Sequence, residues 1–208
     1  MISRRVYPPL WLAFTLILAG YLMVWLPQPV VGLSLMGLEM GEWVKFLPQV
    51  QAGDLPDRNF FYLPPITLSL MMIVWTAGWP NRRWQSWAAR GLAVLVSLLA
   101  FPAVEAIRFE PADQWLLRLL LIAFVILTAF LTPLAHHLPP ILSPLLLLVL
   151  ASLGGLLPVW AYLVMRPVIA QLLRTEIGIG PGIWLTVAGQ LLVVLVSLWL
   201  LLRPVKSD

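Results

Sequence analysis

The chain has 208 residues, 61% of them hydrophobic and only 11% charged, and its formal net charge is +4. Soluble domains carry about 25% charged residues, so a chain this apolar cannot cover itself with polar surface in water, and lipid must solvate part of it. It contains no cysteine, which excludes disulfides, thiolate nucleophiles, CxxC redox chemistry and cysteine-based zinc sites.

The spacing of the charges is the strongest signal. No Asp, Glu, Lys or Arg occurs in residues 6–38, 59–81, 119–165 or 177–202. Each stretch exceeds the roughly 20 residues that a helix needs to cross a bilayer, and a charge at the bilayer centre costs about 2.5–3.5 kcal/mol. Six spans are expected, at 10–26, 63–79, 88–107, 115–133, 141–165 and 183–202. The fold expected is therefore all-α: a polytopic integral membrane protein with short interfacial helices facing outward.

In chain order, Arg4 and Arg5 precede the first apolar run. That run is long for a signal peptide and lacks a small-residue exit, so it reads as an uncleaved first span anchored by the two arginines. Residues 27–62 form the longest segment between spans. Within them Met36, Met40, Trp43, Val44 and Leu47 recur with helical spacing, and Glu39 with Glu42 falls on the opposite face. This is the pattern of a short helix lying in the outer interface, and Pro48 with the 52–56 string ends it. Glu39 and Glu42 are the candidate catalytic pair, as acid and base or as cation ligands; the plainer alternative is a solvated face with Glu42 beside Lys45.

Helix starts carry proline in the first turn at Pro8-Pro9, Pro64-Pro65, Pro139-Pro140 and Pro181, where the missing N–H has no partner to lose. The third span requires Arg90 and Glu105 to snorkel to opposite interfaces. Glu105 and Arg108, three residues apart after Pro102, are expected to pair. His136-His137 lies in the turn between spans four and five, with no nearby carboxylate to complete a metal site. Ala151 and Gly155 make a small-xxx-small pair in span five, and Pro158 follows. A second outward segment, 168–177, holds Arg174 and Glu176 and leads into the glycine-rich turn 178–182. Gln190 sits inside span six and needs a partner there. The binding candidates are accordingly Arg58, Glu105, Arg108, Arg174 and Gln190. With Glu39, Glu42, Arg166 and Glu176, the charged ones form an outward collection that reads either as a polar vestibule or as snorkelling anchors.

Six spans put both termini on one side, with Arg4, Arg5, Arg82, Arg83, Arg90, Arg203 and Lys206 opposed only by Asp208. By the positive-inside rule that side is cytoplasmic, in a plasma (inner) membrane. Most of the 11 tryptophans fall near span ends, as an aromatic belt would place them. No HExxH, GxSxG or Walker string is present. The sequence implies no cofactor and no metal, no nucleic-acid partner, and membrane lipids with membrane proteins as partners.

Glu39, Glu42 and the Phe60-Phe61-Tyr62-Leu63-Pro64-Pro65 string resemble in order the first outward loop of multi-span glycosyltransferases that use lipid-linked sugars. That resemblance covers about 50 residues and implies an enzyme acting at the outer interface. In size and span count the chain is also similar to the six-span substrate-binding components of vitamin uptake systems, an association of architecture alone. Neither resemblance carries a residue role to this chain. The expectation is a permease-type transporter or a membrane subunit without catalytic chemistry, with the lipid-linked-substrate enzyme as the alternative.

Overall fold

The computed structural model describes residues 7–27, 34–80, 84–132, 139 and 141–202. The His136-His137 pair and the basic residues Arg4, Arg5, Arg82, Arg83, Arg203 and Lys206 lie outside them. The described chain is all-α, about 80% helical, with one small antiparallel ladder. Helix α1 (Tyr7–Leu22) leads into strand β1 (Val24–Leu26), which pairs with β2 (Leu35–Met36) through Val24–Met36 and Leu26–Leu35. Then come α2 (Gly37–Val44), the single turn α3 (Pro48–Gln51), and a 3-10 helix Arg58–Tyr62 running directly into α4 (Leu63–Thr76). The remaining helices are α5 (Trp84–Ser97), α6 (Val104–Phe109), α7 (Leu116–Leu131), α8 (Leu142–Leu173) and α9 (Pro181–Leu202).

Three of these segments are long and apolar enough to cross a membrane: Arg58–Thr76, Leu142–Leu173 and Pro181–Leu202. Pro8–Leu22 and Leu116–Leu131 are apolar but shorter. The helix expected at 88–107 is two helices instead. The α5 helix passes into a 3-10 turn at Leu98–Ala100, and Phe101 is then extended (ψ 130°). The cause is Pro102, whose ring disfavours helical geometry in the residue before it. By contrast α8 runs past 165 and through Pro158 and Pro167 to Leu173, so most of the expected outward segment 168–177 is helix.

Helix α4 is the hub, packing on α1, α5, α7 and α8, while α9 lies against α1 and α8. The α1–α9 contact is antiparallel and close because glycines line it. A Cβ on Gly20 would stand 2.5 Å from the Thr186 nitrogen, and one on Gly189 2.7 Å from the Ala13 oxygen. Side chains up to Leu and Trp crowd the outside instead. Leu95 on α5, Phe130 on α7, Leu156 on α8 and Leu195 on α9 are all more than 60% exposed. So much exposed aliphatic and aromatic surface exceeds what soluble monomers carry.

The tryptophans divide between two environments. Trp84, Trp160 and Trp184 are exposed, as a belt requires, but Trp25 and Trp75 are core residues at 0% and 1% exposure. Trp25 donates its indole N–H to the Gly20 carbonyl at 2.9 Å. Its ring fits because glycines surround it: a Cβ on Gly37 would lie 2.8 Å from Nε1, and one on Gly182 2.6 Å from Cδ1. The Gly180 N–H donates to the Trp25 carbonyl at 2.9 Å. The glycine-rich turn before α9 is thus a seat for β1.

Candidate functional site

Charged side chains gather where α2 crosses the starts of α4 and α7. Helix α2 lies directly on Tyr62, close enough that a Cβ on Gly41 would stand 2.4 Å from the phenol ring. That approach turns Glu42 inward. One carboxylate oxygen, Oε1, accepts from the Tyr62 hydroxyl and from Arg118 Nη1, both at 2.7 Å, and Oε2 accepts from Lys45 Nζ at 3.0 Å. Lys45 reaches across to Glu110 Oε1 at 2.7 Å, and Glu110 Oε2 accepts from Arg58 Nη2 at 3.0 Å. Arg58 Nη2 also donates to the Gln114 carbonyl at 2.9 Å. The Arg118 guanidinium stacks 4.2 Å over the Tyr62 ring, a cation–π contact strengthened by its burial. Four ion pairs thus tie α2, the 3-10 start of α4, the 110–114 turn and α7 into one unit.

Burial alone would raise the Glu42 carboxyl, but the hydrogen bonds from Tyr62, Lys45 and Arg118 outweigh it and lower its pKa to about 2. Glu110 is lowered as well, its burial outweighed by Lys45 and Arg58. Lys45 is raised, since its two carboxylate partners more than offset desolvation. A carboxylate held this far down is a weak proton acceptor at neutral pH. In this geometry Glu42 works as a clamp.

The expected site residues are placed separately. Glu39 folds back to accept from the Met36 N–H at 2.9 Å, closing the first turn of α2. Glu42 and Arg58 enter the network. Glu105 and Arg108 are exposed on α6, and no ion pair joins them. Arg166 donates its Nε to the Ile177 carbonyl. Arg174 is exposed and ends α8 in the left-handed region (φ 51°). Of the expected outward charges, Glu42 and Arg58 share the network, and no ion pair among the described residues joins the others to it. Sequence reasoning missed Arg118, Glu110 and Tyr62 as members of the site. One signal was available: Arg118 stands inside the apolar run of α7, where an ionisable residue calls for a partner.

Beside the network is an open cleft of about 860 Å³, floored by Lys45, Arg58 and Glu110 and edged by Phe46, Asp57, Phe60 and Asp113. A different polar set lies deeper. Gln190 on α9 is 4% exposed, and among the described residues neither its amide nitrogen nor its oxygen has a partner. It packs on Gly154 and Gly155 of α8, next to Thr67 of α4. Pro158 has no N–H to give the Gly154 carbonyl four residues earlier. The Thr186 and Ser197 hydroxyls on the same face of α9, and the Tyr21 hydroxyl on α1, are also buried without partners among the described residues. The chain matches no protein-family model, no curated protein and no solved structure.

Proposed function

We propose that the chain is a six-crossing plasma-membrane protein, both ends cytoplasmic, that acts as a permease-type conduit with no catalytic chemistry of its own. The crossings are α1, the continuous 58–76 segment, α5 with its 3-10 extension, α7, α8 and α9. At 16 residues each, α1 and α7 span about 24 Å, a mismatch that modest bilayer thinning accommodates. The exposed apolar flanks of α5, α7, α8 and α9 support lipid as their solvent. Single cysteines in this cysteine-free chain test the arrangement. A membrane-impermeant maleimide applied to intact cells is expected to label Asp54→Cys and to leave Gln85→Cys, at the start of α5, unlabelled. Reversed labelling would sink the orientation, and labelling of both would sink the crossing by α4.

The observation that carries the conduit reading is the row of unpartnered polar groups at Thr186, Gln190 and Ser197 along the inner face of α9. Buried polar groups are nearly always paired, so an amide and hydroxyls without a partner among the described residues of an apolar bundle support a path for a hydrogen-bonding solute. Gln190 meets α8 at Gly154, where Pro158 interrupts the backbone ladder, a combination suited to binding at mid-membrane. Hydroxyls and an amide without a charge suit a small neutral hydrogen-bonding solute. The tied-down state of Glu42 supports this reading over the lipid-linked-substrate enzyme.

Stopped-flow light scattering of proteoliposomes with urea and glycerol is the test. The wild-type protein is expected to speed solute entry over protein-free vesicles, and Gln190→Leu to return it to the protein-free rate. Wild-type vesicles no faster than empty ones for either solute would overturn the conduit and favour a membrane subunit assembled with partner chains.

A further inference from the structure

Helix α8 combines the two poorest helix formers near its middle, yet it runs unbroken from Leu142 to Leu173. Gly154 and Gly155 come first, and Pro158 follows four residues after Gly154. The proline ring crowds the Gly154 carbonyl and leaves it without its helical donor, which is how helices acquire sharp kinks. A Cβ on Gly154 would overlap the Thr67 hydroxyl of α4, and one on Gly155 would stand 3.1 Å from the Gln190 Cβ of α9. The three helices therefore close on one another at the level of the Gln190 amide, and a solute passes there only if one of them moves.

The two halves of α8 are held differently. Beyond the proline, the Tyr162 hydroxyl donates to the Gly178 carbonyl at 2.8 Å, and Arg166 donates to the Ile177 carbonyl. Tyr162 also meets Trp25 edge-on, and Trp160 meets Phe60. Before the glycines, the Ser152 hydroxyl turns back onto the Leu148 carbonyl of its own helix at 2.9 Å. Among the described residues, no side-chain hydrogen bond or ion pair ties 142–153 to another element. Gln190 Nε2 would stand 3.0 Å from a Cβ on Gly154, and it has no partner among the described residues. We infer that α8 bends at Gly154–Pro158, its Leu142–Leu153 half swinging away from α4 while the outer half stays in place, and that Gln190 holds the bent form by donating to the Gly154 carbonyl. The inference rests on the conduit reading, to which it adds a gate. The inner end lies about 18 Å of helix from the hinge, so a kink of about 20° displaces it by about 6 Å.

Distances between paired spin labels on the full chain in lipid nanodiscs test it, since the chain has no native cysteine. One pair, Leu145→Cys on α8 with Phe130→Cys on α7, reports the inner half; the other, Leu172→Cys with Leu116→Cys, reports the outer half. All four side chains are exposed. Double electron–electron resonance is expected to resolve two inner distances about 5 Å or more apart, and a single outer distance. Pro158→Ala restores the helical donor and is expected to abolish the longer inner distance. Gln190→Met, of similar length but without a donor, is expected to reduce its population about fivefold, the worth of one hydrogen bond. A single inner distance in the wild-type chain, an outer distance that shifts as far as the inner one, or unchanged inner distances in either variant would each overturn the proposal. If Pro158→Ala fails to fold, the wild-type distances and Gln190→Met still decide. Two inner distances in a chain whose vesicles pass neither urea nor glycerol refute the conduit and keep the hinge; fast solute entry with one inner distance refutes the hinge alone.

Discussion

Glu42→Leu is expected to cost about 2–4 kcal/mol of folding stability in detergent, through Arg118 more than through Glu42 itself. Arg118 is 1% exposed and, among the described residues, has one carboxylate partner; without it, a guanidinium is left in the bundle over the Tyr62 ring. Removing one member of a buried pair costs about 3–5 kcal/mol, discounted here because the Glu42 side chain is 34% exposed. Replacing both members should recover most of the loss, since an apolar pair of similar volume needs no counter-charge. Thermal melts of Glu42→Leu, Arg118→Leu and the double variant decide the matter. A double variant as unstable as the two single losses added together would show that the pair is not coupled.

Acid probes the same clamp. The Glu42 pKa is lowered from an ordinary 4.5 to about 2 in the folded protein. Its contribution is therefore complete above about pH 4.5 and is lost as pH falls through about 2. Glu110, shifted in the same direction, adds to the effect. The melting midpoint should accordingly hold between pH 7 and 5 and fall below that, with a shallower fall in Glu42→Gln.

Trp25→Ala is the other large effect, about 3–5 kcal/mol by the cost of emptying an aromatic core site. The indole is fully buried and meets Tyr21, Phe61 and Tyr162 edge-on at centroid distances of 6.3–6.4 Å. Its surroundings cannot collapse easily, because glycine backbone has no side chain to move into the space. Trp25→Phe should lose less, keeping the ring contacts but forfeiting the hydrogen bond to Gly20. Melts followed by tryptophan fluorescence would separate the two, and a Trp25→Ala loss below about 1 kcal/mol would contradict the packing described.

The sequence revealed the helices better than the site. Charge gaps located α1, α4, α7, α8 and α9, because an apolar run of about 20 residues leaves few alternatives to an α-helix. The span expected at 88–107, which no such gap covers, breaks at 101–103, where Pro102 ends the helix that α5 begins. The amphipathic helix around Glu39 and Glu42 exists, and Met40, Val44 and Leu47 are buried as its spacing predicts, but Glu42 is held by Tyr62 and Arg118 instead of facing solvent. Periodicity scored Glu42 as solvent-facing because it counts carboxylates as polar, whereas Arg118 and Tyr62 make a polar surface beneath it. Those partners lie far along the chain, at 76 and 20 residues' separation, and no local pattern reports them. Glu110 was hidden for the same reason. Gln190 was legible, since a lone amide in an apolar helix stands out by itself.

The seat of Trp25 bears on how the protein is made. Gly37 follows the first helix, whereas Gly180 and Gly182 open the last one. During synthesis the indole and β1 emerge early, long before the backbone that completes their socket. Strand β1 must therefore wait for its socket until α9 packs antiparallel against α1. Arrival of the last helix closes the first.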